Sequence, residues 1–207
     1  MVPENKIRIA KVLSLVITVS GITVMIGWIF DIGFFKSISP AWVSMKFGTA
    51  IAFVLSGITL YFIVRAQEGE LDKAQVALSI TSLIIVLLMG ILFFASLMGI
   101  PTGAENLFIR EINPSPRTVA PGRPSVPTMM NFMLIALAGI FTMLNAKKLP
   151  PKLKIIGLAV GIIGALAVIG YILNAPILYY YLPAVNSAMA FHTAILFVLI
   201  GIGLLCL

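Results

Sequence analysis

The chain has 207 residues, 60% of them hydrophobic and only 10% charged, with a mean hydropathy of +1.12. A water-soluble domain of this size carries about a quarter charged residues, so this composition excludes an ordinary soluble fold and implies an all-α integral membrane protein whose solvent is lipid. The net charge of +7 is the expected signature of Lys and Arg facing anionic headgroups and calls for no nucleic acid. The single Cys206 excludes an internal disulfide and any cysteine-based metal centre.

A helix needs about 20 apolar residues to cross the hydrocarbon, and six runs reach that length: Ala10–Phe30, Val43–Val64, Ala74–Ile100, Pro127–Asn145, Leu153–Leu173 and Ser187–Leu207. Backbone in lipid must satisfy its own hydrogen bonds, which predicts six helices. The first run is too long for a cleavable signal peptide and no small-residue cleavage site follows it. Trp28 closes that run, and "DIGFFKSISPAW" leads from it to the second. After "RAQEGELDK" comes the third span, then a 25-residue insert rich in Pro, Pro101 to Ser125, whose "NLFIREI" piece predicts a short interfacial strand or helix. "AKKLPPK" joins the fourth and fifth spans, and "NAPILYYYLPAVN" joins the fifth and sixth.

With the N-terminus inside, nine Lys and Arg fall on the cytoplasmic side, including the "KKLPPKLK" cluster, and five fall outside: Lys36, Lys46, Arg110, Arg117 and Arg123. The positive-inside rule then places both termini in the cytoplasm of a multi-pass protein of the cell membrane.

Internal repetition is visible between the even-numbered spans. Met45, Phe47, Thr49, Ala50, Phe53 and Gly57 recur, 144 positions on, as Met189, Phe191, Thr193, Ala194, Phe197 and Gly201. Thr128, Phe132 and Ala136 match more loosely. "MIGWIFDIGF" and "VIGYILNAPI", containing Trp28 and Tyr171, echo each other at the ends of the first and fifth spans. The chain therefore reads as one domain, 1–207, of three helical hairpins, about 1–66, 67–146 and 147–207. The four-residue spacing puts Thr49, Phe53 and Gly57, and likewise Thr193, Phe197 and Gly201, on one helix face. Small residues and hydroxyls suit close helix packing in lipid, so these stripes are expected to face protein, with the even helices meeting at a pseudo-threefold centre.

These stretches, with "GRPSVPTMMNF" and "MAFHTAILFVLIGIGLL", resemble the multi-pass N-terminal membrane region of bacterial and archaeal sensor proteins, the region that precedes PAS domains, histidine kinases and diguanylate cyclases. The resemblance covers nearly the whole chain, and its T-A-x-x-F-x-x-x-G motif is apolar and only moderately specific. It implies a signal-input domain of a two-component or cyclic-nucleotide system, relaying a stimulus through its last helix to a cytoplasmic kinase or cyclase, in cis or in trans, as a monomer or homodimer. Family members continue into that effector, whereas this sequence stops at "GLLCL". The expectation is an input domain cut from a longer chain or a stand-alone relative working through a partner.

Candidate site residues are sparse. His192, the only histidine, has an ordinary reading as an interfacial side chain bonded to a loop carbonyl or water. Its sharper reading is a pH or ligand contact; haem would require a second axial ligand such as Met45 or Met189. Asn131 is expected to bond between helices or to touch a ligand. Trp28, Trp42, Tyr179, Tyr180 and Tyr181 read as an interfacial aromatic belt; the alternative is an outward pocket lined by Trp28, Trp42, Tyr171 and Tyr180 under an arginine-bearing loop. Those arginines are expected to pair with Glu105, Glu111 and headgroups. No motif for catalysis, cofactor or metal is present, and no ionisable group lies deep in a span, which argues against pumping. The alternatives to sensing are a structural subunit of a membrane complex and a passive carrier of a small solute.

Overall fold

A computed structural model of the chain describes residues 3–180 and 187–207, and among them every regular element is helical. The α-helices are α1 (Glu4–Ile29), α2 (Gly33–Lys36), α3 (Phe47–Gln67), α4 (Leu71–Met98), α5 (Val126–Met143), α6 (Leu149–Ile172) and α7 (Phe191–Leu205). Single 3₁₀ turns occupy Ala104–Asn106 and Pro176–Leu178. Five helices, α1, α3, α4, α5 and α6, are long and apolar enough to cross a membrane. The sixth predicted span is shorter than the sequence suggests. Ala188, Met189 and Ala190 are buried but precede the helix, leaving α7 with 15 residues, about 22 Å at 1.5 Å per residue.

The helices pack most extensively as α1 with α3, α4 with α5, and α6 with α7. Each first partner also touches the second helix of another pair: α4 meets α3, α6 meets α5, and α1 meets α7, which closes a ring. The second helices lie inside. In the most apolar stretch of each helix, 56% of α3 and 50% of α5 is buried, against 28% of α1 and 39% each of α4 and α6.

The outer faces are apolar. Val12, Leu15, Val19 and Ile26 on α1 are exposed, as are Ile80, Leu83, Leu87, Ile91 and Phe94 on α4 and Ile155, Leu158, Ile162 and Ile169 on α6. Three such faces on one molecule exceed what a monomer keeps in water, in keeping with five helices long and apolar enough to cross a membrane.

Glycine makes the tight pairings possible. A Cβ on Gly57 would stand 2.7 Å from the Ser14 carbonyl oxygen of α1, and one on Gly201 would stand 2.7 Å from both the Gly157 oxygen and the Gly161 Cα of α6. The sequence stripe is corrected here. Four residues turn about 40° beyond a full turn of a helix, so Gly57 and Gly201 have rotated off the central face and meet their hairpin partners instead. In the middle pair this close approach belongs to Gly139, against Ser82 of α4, while Ala136 is simply buried.

α1, α4 and α6 also leave the bundle alike. Asp31, Gly99 and Asn174 all have positive φ, at 54°, 66° and 50°. The amide of the following residue then bonds a carbonyl five residues back: Ile32 to Gly27 at 2.8 Å, Ile100 to Ala95 at 3.1 Å, and Ala175 to Gly170 at 2.8 Å. This left-handed termination satisfies carbonyls that would otherwise be orphaned at the helix end.

Candidate functional site: the capped end of the inner helices

The inner helices α3, α5 and α7 start at the same end of the bundle, beneath the long loop. The residues before them, Lys46, Ser125 and Ala190, share one extended conformation, with φ of −72°, −67° and −70° and ψ of 151°, 151° and 148°. Ser125 also caps α5, its Oγ accepting the Thr128 amide at 3.3 Å, the ordinary task of a serine at this position. One turn in, Thr49, Thr128 and Thr193 are each 2% exposed and line a cavity of about 10 Å³. Below them the rings of Phe53, Phe132 and Phe197, all fully buried, form a triangle with centroids 4.8, 5.0 and 5.0 Å apart. The structure thus brings six of the sequence-picked residues to one axis and closes that axis with three aromatic rings.

Two further picks brace the approach to the inner helices. Trp28 Nε1 donates to the Met45 carbonyl at 2.8 Å, and Tyr171 Oη donates to the Met189 carbonyl at 2.8 Å. Tyr171 is therefore an internal strut and not a pocket wall. It stacks on Tyr179 at 3.9 Å and contacts Trp42 at 5.0 Å. Tyr179 is 2% exposed, which removes it from the predicted belt; its hydroxyl accepts from Arg117 at 2.5 Å. Tyr181 lies outside the described residues.

The feature that sequence reasoning missed is Lys46. Its side chain is 3% exposed, and Nζ donates to both carboxylate oxygens of Glu111, at 2.7 and 2.8 Å, and to Thr118 Oγ1 at 2.9 Å. Glu111 also accepts the Gly122 amide at 2.7 Å. Glu111 was expected to pair with an arginine; it holds a lysine 65 residues away instead. Burial lowers the Lys46 pKa from its ordinary value, against the opposing pull of Glu111. Glu105 does pair with Arg123; burial pushes its carboxyl up, but Arg123 and backbone amides outweigh this and hold it below the usual carboxylate range. The "NLFIREI" piece is irregular after the 3₁₀ turn and makes no strand. Through Glu111, Ser115 and Thr118 the loop grips the approach to α3. Through the Arg117 carbonyl, bonded by the Ala188 amide at 3.1 Å, and the Val119 amide, donating to Ser187 Oγ at 3.2 Å, it grips the approach to α7.

His192 lies in the first turn of α7, half-buried, and neither ring nitrogen has a hydrogen-bond partner among the described residues. The loop-carbonyl bond expected for it is not formed there. Asn131 is fully buried on α5; its Nδ2 makes one long bond, 3.5 Å, to the Val160 carbonyl of α6, and its Oδ1 finds no partner among the described residues.

Beside the buried pair a cleft of about 740 Å³ opens between the α1–α3 connection and the loop. Trp28, Trp42 and Phe34 line it on one side and Arg110 and Ile112 on the other. No protein family, curated protein or solved structure matches the chain.

Proposed function

We propose that the chain is the membrane-embedded input unit of a sensor: six crossings in three hairpins, both termini cytoplasmic, passing a shift of its inner helices through α7 to a kinase or cyclase effector. The observation that carries this reading is the buried Lys46–Glu111 pair, supported by the contacts at Ser187 and Ala188. They tie one loop to the starts of two inner helices, so whatever displaces the loop acts on both helices at once. A stimulus works in this way only if it favours one packing over another.

The ring of pairings supports three equivalent hairpins. α7 is short for a spanning helix, yet most of it packs against α6, α1 and α3, with Ile202 and Leu205 left exposed. Its interface with α6 sets Gly157, Gly161 and Gly164 against Leu204, Gly201 and Phe197, so the two backbones run close together. The uneven distribution of Lys and Arg supports the orientation. The triangle of Phe53, Phe132 and Phe197 weighs against a solute carrier, because it fills the axis a path would use. The reading assigns the unit no chemistry of its own.

To test it, the chain is joined after Leu207 to a diguanylate cyclase reporter. Glu111→Gln is expected to change basal output several-fold. Output unchanged by this variant, in membranes where it accumulates to the parental level, would defeat the reading. With Cys206 replaced by serine, a cysteine placed next to Arg117 is expected to react with an impermeant reagent only from outside the cell.

A further inference from the structure

We propose that the cleft between the α1–α3 connection and the long loop binds a small anionic amphiphile, with its acid group on Arg110 and its apolar body against Trp28, Trp42 and Ile112. This rests on the sensor reading, for which it supplies the class of stimulus. The cleft's volume, about 740 Å³, lies within the usual range for small-molecule sites.

Its charges are already matched but for one. Asp31 pairs with Lys36, and Glu111 pairs with Lys46. Arg110 is exposed and forms no ion pair among the described residues. The local surplus is thus a single guanidinium, whose planar fork suits a carboxylate, sulfonate or phosphate. Next to it Ile112 is 81% exposed, and across the cleft Phe34 is 71% exposed. Apolar side chains left open on both walls beside one unmatched cation describe a ligand with an acid head and an apolar body. Ser44, Glu111 and Ser115 line the cleft, and Glu111 holds Lys46, so an occupant touches residues that hold the loop to α3.

Trp28 and Trp42 are the chain's only tryptophans and both line the cleft, so tryptophan emission reports an occupant directly. The protein, in phosphatidylcholine nanodiscs, is titrated with phenylacetate, phenylacetamide and phenethylammonium. Phenylacetate is expected to shift tryptophan emission saturably and to bind about tenfold or more tighter than the other two, the worth of one charge-assisted hydrogen bond. Arg110→Gln should erase that preference while leaving the unfolding midpoint and the unliganded emission unchanged. Ile112→Asn should weaken all three probes together.

A second set of nanodiscs containing phosphatidylglycerol separates the sources. Emission shifted without added acid, together with weaker phenylacetate binding, assigns the site to an anionic lipid; no effect of the lipid assigns it to soluble acids. Equal binding of the three probes, no saturable response from either source, or an Arg110→Gln variant that binds phenylacetate as before would overturn the proposal. Binding is read without signalling output, so phenylacetate binding that leaves a fused reporter silent would count against the sensor reading alone.

Discussion

Replacing Glu111 with glutamine removes the countercharge of Lys46 and leaves its ammonium 3% exposed with no carboxylate within reach. Nζ loses two charge-assisted contacts of 2.7 and 2.8 Å and keeps Thr118 at 2.9 Å. Breaking a buried pair from one side costs about 3–5 kcal/mol. In a chain of this length each kcal/mol moves the midpoint by roughly 2–4 °C, so the expected fall is about 6–20 °C. The penalty also has a pH signature. Burial lowers the folded-state pKa of Lys46 while the unfolded chain keeps the ordinary value near 10.5, so between those two values the unfolded state binds more protons and stability rises with pH. Removing Glu111 deletes the influence that raises Lys46, which widens the window. The deficit of Glu111→Gln should therefore shrink as pH climbs from 7 toward 10. Thermal unfolding of detergent-solubilised protein, followed by tryptophan fluorescence across that range, measures both effects. A midpoint within a degree of the parent at pH 7, or a deficit that grows with pH, would refute the buried-pair account.

Other perturbations probe the ring and the axis. Gly201→Leu drives a side chain into the α6 backbone at Gly157 and Gly161 and should give little monodisperse protein on size-exclusion chromatography, whereas Gly48→Ala, which meets open space, should behave like the parent. Phe132→Ala removes one side of the aromatic triangle and should cost about 3–5 kcal/mol, seen as a lower unfolding midpoint. Tyr171→Phe leaves the Met189 carbonyl without its 2.8 Å donor and should cost about 1–3 kcal/mol; an unchanged midpoint would mean that the strut contributes nothing.

Much of the core was legible because lipid simplifies the code. With no polar solvent in the spans, position in a repeating pattern decides what is buried, and Thr49, Phe53, Thr128, Phe132, Thr193 and Phe197 are all inside. Gly57 and Gly201 show where the pattern misleads, since a four-residue period drifts around a helix of 3.6 residues per turn and small residues serve whichever neighbour lies there. The length of α7 was misjudged for a related reason: residues 188–190 are apolar because they are buried, not because they are helical. The Lys46–Glu111 pair had no signal at all. Its partners lie 65 residues apart, and composition makes a lysine at the end of an apolar run look like an interfacial charge. Only the path of the loop across the cap shows otherwise.

The position of that lysine argues for its purpose. A cation at the start of a helix faces the positive end of the macrodipole, which disfavours it, and burying it adds a desolvation cost that a carboxylate offsets only in part. Ser125 and Ala190 open α5 and α7 with the same backbone geometry and no charge, so the fold does not require one there. A charged residue at one of three alike positions distinguishes that position, and a loop that buries the Glu111 carboxylate opposite it can then settle over α3 in one register. A buried polar residue fixes register in this way in coiled coils, at a cost in stability. The double variant Lys46→Met with Glu111→Gln is therefore expected to recover most of the midpoint lost by either change alone. It should also lose the fixed seat of the loop, with faster hydrogen exchange at residues 107–122 and unchanged exchange in α3, α5 and α7. Parental exchange in that segment would show that the pair does not direct the docking.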